Sequence, residues 1–139
     1  MLKDYIPNST FTDQQQTSLF QLEDQSWWFQ YRVSVILSLM KRFFLPDRTT
    51  IDIGGGNGYT TSVAQKAGFK TVLIEPSFIA CQNAVQRGIN EVACGTVTED
   101  SILDSSIEQI LLLDVLEHVK ADSDFISLLH KKLRGGGFY

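Results

Sequence analysis

Ile51-Asp52-Ile53-Gly54-Gly55-Gly56-Asn57-Gly58-Tyr59 decides how the rest of the chain is read. Thr50, Ile51 and Ile53 are β-branched, which suits the pleated and packed surface of a strand. Glycine then recurs at alternate positions, as Gly54, Gly56 and Gly58. Such a run allows a tight turn and lets backbone N–H groups come close to a ligand. Residues 59–67 can be helical, and a helix N-terminus carries partial positive charge. A buried strand, a glycine turn and a helix in that order form a nucleotide-type binding element. One carboxylate, Asp52, is set inside the strand.

Downstream, strand and helix patterns alternate. Gly68 falls where a left-handed residue closes a helix. Residues 70–75 read as a second strand, because Thr71-Val72-Leu73-Ile74 is a continuous apolar and β-branched run of the kind buried on both faces. Pro76-Ser77 opens a helix over 78–87, with Gly88 as its stop. Residues 91–95 form a short third strand. Residues 96–106 read either as loop or as one helical turn capped within Thr98-Glu99-Asp100-Ser101. Ile110-Leu111-Leu112-Leu113 marks a buried strand over 107–114, with Asp114 at its C-terminal end. A helix over 121–133 carries Phe125, Leu128, Leu129 and Leu133 on one face. Gly135-Gly136-Gly137 follows, and Phe138-Tyr139 begins a further strand.

Upstream, residues 1–24 are polar. Thr12-Asp13 starts a short helix ending near Leu22, the alternative being a flexible arm. Ser26 is placed to cap a helix over 27–44, in which Trp28, Tyr31, Val35, Leu39 and Phe43 recur at helical spacing. Pro46 ends it. Trp27-Trp28-Phe29 has two readings. The simpler is packing against the sheet; the other is a lid that brings aromatic rings and Arg32 near a ligand.

This order predicts one α/β domain over residues 1–139. Residues 1–45 form an arm and lid helix, and residues 46–139 a doubly wound, Rossmann-like parallel core with right-handed crossovers. Ligands of such sheets lie beyond the C-terminal ends of the strands. The glycine loop, Glu75, the Gly95-Thr96 corner and Asp114 all fall at those ends.

The formal net charge of −4 and the absence of a basic stripe argue against a nucleic-acid partner. Lys41-Arg42 and Lys131-Lys132 are short pairs at helix ends, where cations suit the dipole. No apolar run is long enough to cross a bilayer, so no membrane partner is expected. Cys81 and Cys94 lack metal-ligand spacing and read as free thiols of a reducing compartment, the alternative being a disulfide that nothing in the sequence supports, and the expected location is cytoplasmic.

The glycine spacing discriminates between ligands. The dinucleotide fingerprint is G-x-G-x-x-G, but the sixth position counted from Gly54 is Tyr59, and from Gly56 it is Thr61. The pattern here is D-x-G-x-G-x-G. A carboxylate two positions before the first glycine would repel a pyrophosphate and suits an ammonium or sulfonium group. An NAD-dependent oxidoreductase is therefore disfavoured. Glu75, at the end of the second strand, can accept ribose hydroxyls of either ligand class.

Asp52-Ile53-Gly54-Gly55-Gly56-Asn57-Gly58, Ile74-Glu75-Pro76-Ser77 and Leu113-Asp114-Val115-Leu116-Glu117-His118-Val119 together resemble the class I S-adenosylmethionine-dependent methyltransferases. The likeness is nearest to the small-molecule group that includes ubiquinone-biosynthesis enzymes. Leu129 and Leu133 with the following glycines resemble the family's approach to strand five, and Trp27-Trp28-Phe29 with Arg32 resembles its lid helix. The resemblance implies S-adenosyl-L-methionine as cofactor, a small-molecule methyl acceptor and strand order 3-2-1-4 with the start of 5. The family's later C-terminal elements are expected to be missing. It also implies that Gly54, Gly56 and Gly58 fold under the methionyl part and that Asp52 holds the ammonium. Glu75 takes the ribose hydroxyls, and Pro76 lies against the adenine. Asp114 and Leu116 line the site of transfer. Thr96 stands where the family has an acidic adenine contact.

Methyl transfer needs an oriented acceptor and removal of its proton. His118 has a suitable unperturbed pKa and, with Asp114, is the catalytic candidate; its alternative is a polar cap. A metal held by Glu117 and His118 lacks visible partners, so none is expected. The second function hypothesis is a non-catalytic, truncated domain that binds cofactor or pairs with another chain. Without strand five, the apolar fourth strand would present an exposed sheet edge for a homo-oligomer.

Overall fold

In the computed structural model, which describes residues 12–116 and 119–138, the strand that holds Asp52 lies at the centre of a five-stranded parallel sheet. The chain runs α1 (Asp13–Glu23), α2 (Trp27–Phe43), β1 (Thr49–Ile53), α3 (Tyr59–Lys66), β2 (Lys70–Glu75), α4 (Phe78–Gln86), β3 (Val92–Cys94), β4 (Ile107–Leu112), α5 (Asp122–Lys132) and β5 (Leu133–Phe138). The strand order is β3-β2-β1-β4-β5, the doubly wound order with the crossover beside β1. Ile51 pairs with Val72 on one side and with Ile110 on the other.

The two-residue period of a strand sends neighbours to opposite faces. Ile53 and Ile110 join Phe125, Leu128 and Leu129 of α5 in one apolar cluster. Leu111 instead meets Ile36, Met40 and Phe44 of the α2 segment and Ala64 of α3. Leu73 packs on Ala84 of α4 and on Ile89. The sheet is thus covered on both faces, and Asp52 is on the face of α3. Among the described residues no helix is long and apolar enough to cross a membrane.

Local chemistry sets the helix ends. Thr12 and Gln15 form a reciprocal capping box at α1, with Gln15 N donating to Thr12 Oγ1 at 3.2 Å and Thr12 N donating to Gln15 Oε1 at 2.8 Å. The described part of the polar arm is therefore helical over Asp13–Glu23. Ser77 Oγ accepts from Ala80 N at the start of α4. Residues 96–106 form turns rather than a helix. Their anchor is Lys132, which is 1% exposed and donates to the Glu99 carbonyl and, at 2.8 Å, to Asp104. The lysine pair that suited the α5 dipole also ties down this loop.

The last strand differs from the sequence reading. Leu133 already has extended backbone, is buried in the α5-side cluster and pairs with Ile107. The glycines lie inside β5 and not in a loop before it. Phe138 pairs with Gln109, so six residues of β5 span three of β4 across a register shift. Glycine is the residue that such an irregular strand accommodates. The consequence is a correction: β4 lies between β1 and β5, which pairs with it at Ile107 and Gln109, so β4 is not the edge strand that the sequence reading expected.

Candidate functional site

A cavity of about 420 Å³ opens at the C-terminal ends of β1, β2 and β4. Its floor is Asp52 and the loop Gly54, Gly55, Gly56 and Asn57. Glu75 and Pro76 form one wall, and Leu113, Asp114 and Val115 the other. Gln16, Leu19 and Glu23 of α1 and Trp28, Phe29, Arg32 and Val33 of α2 form the roof. The size falls within the range of small-molecule sites.

Asp52 is 1% exposed. Thr61 Oγ1 donates to its Oδ2 at 2.6 Å, while Oδ1 is buried without a hydrogen-bond partner among the described residues. Burial pushes its carboxyl up to about 6, against the lowering effect of the Thr61 bond. Gly55 keeps this arrangement open: a Cβ there would stand 2.7 Å from Asp52 Oδ2.

Glu75 is also buried, and burial raises its carboxyl above the usual range. Two backbone donors oppose that shift, Ser77 N on Oε1 at 3.0 Å and Gly56 N on Oε2 at 2.9 Å. The second bond joins the glycine loop to the end of β2. Each carboxylate oxygen retains a lone pair for a ligand hydroxyl.

Gly58 has a different task from Gly56. It takes φ +77° as the residue before α3, and a Cβ would meet Ile89 Cδ1 at 2.2 Å and Ala84 Cβ at 3.1 Å. It lets α3 and α4 close on the sheet and does not line the cavity. At Gly56 nothing lies within 4 Å of an added Cβ.

Asp114 has φ +53°, unusual for a residue with a side chain. The turn there points Val115, not Leu116, at the glycine loop; Leu116 is 37% exposed and does not line the cavity. The Arg32 guanidinium donates to Asp114 Oδ2 and lies 5.7 Å from the Trp28 ring. Trp28 is half exposed and Trp27 is 75% exposed, so the pair does not pack into the sheet; Trp28, Phe29 and Arg32 roof the cavity. Thr96 does not line it either, because the chain dives after β3 and buries Val97 completely. His118 and Glu117 lie outside the described residues.

Sequence reasoning missed the tie between arm and loop. Asn57 is 2% exposed, and its Nδ2 donates to the Gln16 carbonyl at 3.0 Å and to Glu23 Oε1 at 2.9 Å. Its Oδ1 accepts from Asn83 Nδ2. Arg87, just past α4, donates to the Asn57 carbonyl and to Asp24, and lies against the Phe20 and Tyr59 rings. Only the capping box on α1 hinted that this arm is built.

The comparisons agree with this geometry. A sequence model for the methyltransferase domain family matches residues 27–139, so the chain belongs to that family. No curated protein sequence matches it. Solved structures show the same fold. A SAM-dependent methyltransferase from Thermotoga maritima, described as a possible histamine N-methyltransferase, is 22% identical over 87% of this chain and 53% of its own, with TM-score 0.63. One from Thiobacillus denitrificans, in complex with S-adenosyl-L-homocysteine, is 16% identical over 77% and 45%, with TM-score 0.64. One from Aquifex aeolicus is 17% identical over 90% and 69%, with TM-score 0.64. The chain thus spans roughly half to two thirds of the structures it matches.

Proposed function

We propose that this chain binds S-adenosyl-L-methionine and transfers its methyl group to a small-molecule acceptor in a reducing, cytoplasmic setting. The observation that carries the reading is the buried, unpartnered Oδ1 of Asp52 on the floor of the cavity. A buried carboxylate oxygen without a donor is costly, and a ligand ammonium satisfies it. The residues present fit the rest of the cofactor. Glu75 offers free lone pairs to ribose hydroxyls, and Pro76 an apolar face to the adenine. Arg32, in the roof, is a cation for the methionyl carboxylate.

When bound, the cofactor supplies a sulfonium methyl for in-line displacement. The protein's part is to hold and orient. Asp52 and Arg32 grip opposite charges of one amino-acid end, which fixes its direction in the cavity. Trp28 and Phe29 stand with Arg32 over the side where Asp114 lies. The strained φ of Asp114 sits at this wall, where such strain often accompanies function. His118 is proposed as the proton acceptor from its place in the sequence alone, four residues after Asp114.

Calorimetric titration with S-adenosyl-L-homocysteine tests the cofactor reading. The folded chain is expected to bind it and Asp52→Ala to bind it far more weakly; a folded chain that shows no binding heat and no thermal stabilisation would sink the proposal. Binding without turnover across an acceptor panel would favour the non-catalytic alternative. For His118→Asn, the expected result is unchanged cofactor affinity with slower turnover and loss of the rise in rate along the acidic limb of the pH–rate profile.

A further inference from the structure

Cys81 on α4 and Cys94 at the end of β3 are 13 residues apart in sequence, yet the fold brings both to one peptide group. Cys94 is the register partner of Glu75. The carbonyl of Glu75 accepts from Gly95 N at 2.9 Å and from Cys81 Sγ at 3.2 Å. The Cys81 thiol thus sits against the peptide group whose neighbour across the parallel ladder is Cys94. Both cysteines are free, Cys81 buried and Cys94 exposed. One accessible thiol backed by one sheltered thiol is the arrangement of an attacking and a resolving cysteine.

We propose that Cys81 and Cys94 are a reversible dithiol–disulfide pair that weakens cofactor binding when oxidised, an inference that rests on Glu75 being the ribose-binding carboxylate. The oxidant is a low-molecular-weight disulfide such as oxidised glutathione. The Cys94 thiolate attacks one of its sulfurs, forms a mixed disulfide and expels one thiolate, which is protonated. Cys81 then loses its proton to solvent and attacks Cys94 Sγ, expelling the second thiol. Two cysteine thiols and one small disulfide become one protein disulfide and two small thiols. In a reducing compartment such bonds are transient and regulatory.

The effect on the site follows from connectivity. Oxidation removes the hydrogen that Cys81 donates to the Glu75 carbonyl. It also ties the first turns of α4 to the end of β3. Ser77, which starts α4, donates its N–H to Glu75 Oε1, so a shift of α4 moves the carboxylate. Burial, followed by the neighbouring Cys94, raises the Cys81 thiol well above its ordinary value, and Cys94 is the exposed thiol of the two, so Cys94 is the first to meet the oxidant.

The test uses the whole chain, reduced or equilibrated with oxidised glutathione. It reads intact mass, the linked tryptic peptide and titration with S-adenosyl-L-homocysteine. The oxidised chain is expected to lose two hydrogen atoms, to carry a Cys81–Cys94 link and to bind about tenfold more weakly or worse, recovering with dithiothreitol. Cys94→Ser is expected to bind like the reduced parent and to ignore the oxidant. Cys81→Ser is expected to stop at a glutathione adduct. A parent that keeps both thiols or stops at the adduct overturns the pair, and a linked parent with unchanged affinity overturns the switch. A reduced chain that does not bind the probe refutes the cofactor reading and the switch with it, while the mass still decides whether the pair forms.

Discussion

Thr61 Oγ1 donates to Asp52 Oδ2 at 2.6 Å, and the other oxygen of that carboxylate is buried with no hydrogen-bond partner among the described residues. One hydrogen bond therefore holds a group that desolvation pushes up to about 6 from 3.8. The native state binds more protons than the unfolded chain between those values. Stability of the ligand-free protein is thus fully supported by this group below about pH 4 and falls as pH rises through about 6. The loss is about 3 kcal/mol, at roughly 1.4 kcal/mol per unit. Asp52→Asn is expected to flatten this component of the urea-midpoint profile between pH 4 and 7 and to be more stable than the parent at pH 7.

The same substitution is expected to act in the opposite direction on binding. An ammonium needs the ionised carboxylate, so parent affinity for S-adenosyl-L-homocysteine should drop as pH falls below about 6. Asp52→Asn should lose roughly 10- to 100-fold at pH 7.5, the value of one charge-assisted hydrogen bond. Titrations at pH 5.5 and 7.5 on both proteins check this. A variant that is destabilised and still binds like the parent would contradict it.

Gly56 and Gly58 separate conformational strain from packing. Both have positive φ, +60° and +77°, so alanine at either costs about 1 kcal/mol or more of backbone strain. Only at Gly58 does the new methyl also meet Ala84 Cβ at 3.1 Å and Ile89 Cδ1 at 2.2 Å. Gly58→Ala is expected to cost about 2–4 kcal/mol, adding an overpacking penalty. Gly56→Ala is expected to cost less than half of that, with its main effect on cofactor affinity. Chemical denaturation of the two variants in parallel decides the order.

The parts of the fold that were legible in the sequence are those whose cause is local. β1 and β2 form around the β-branched runs, β2 reaching one residue beyond its run at each end, and Gly68 and Gly88 close their helices at φ +99° and +97°. β5 was misread because a glycine run carries no strand signal. Its pairing comes from Leu133 entering the apolar cluster and from the partner strand. The site divided in the same way. Asp52, Gly54, Gly56, Glu75, Pro76 and Asp114 reach the cavity because a parallel sheet delivers strand ends to one edge. Asn57 gave no warning, since its partners are 41 and 34 positions away. Nor did the cysteines, which meet only when α4 folds back over β3.

Asn57 is expected to be the residue that docks the arm. Asn57→Ala removes the donors to Gln16 and Glu23, and Glu23 is a buried carboxylate that burial already raises. Losing those bonds costs about 2–3 kcal/mol. The cost should be local, because α1 rests on this side chain and on Arg87. Hydrogen exchange is expected to quicken at amides of residues 13–23 while β1 and β4 keep their protection. Uniform quickening, or none, would show that α1 is held by something else.

Arg32 offers the opposite profile. Its pair with Asp114 is solvent-exposed at both ends, the side chains being 32% and 62% accessible, so it adds little to stability. In the proposed function its part is to place a cation in the roof of the cavity whose floor holds Asp52. Arg32→Ala is expected to leave the melting temperature nearly unchanged while weakening binding of S-adenosyl-L-homocysteine roughly 10- to 100-fold, as expected when a charged hydrogen bond to a ligand is lost. Arg32→Lys should recover part of that affinity, because the charge returns without the planar fork. Added salt should weaken the parent more than Arg32→Ala, since screening acts on the charge the variant lacks. Calorimetry at two ionic strengths on the three proteins, alongside thermal melts, separates a ligand-binding cation from a surface ion pair: if Arg32→Ala melts early and binds normally, the roof of the cavity is structural and the carboxylate is held elsewhere.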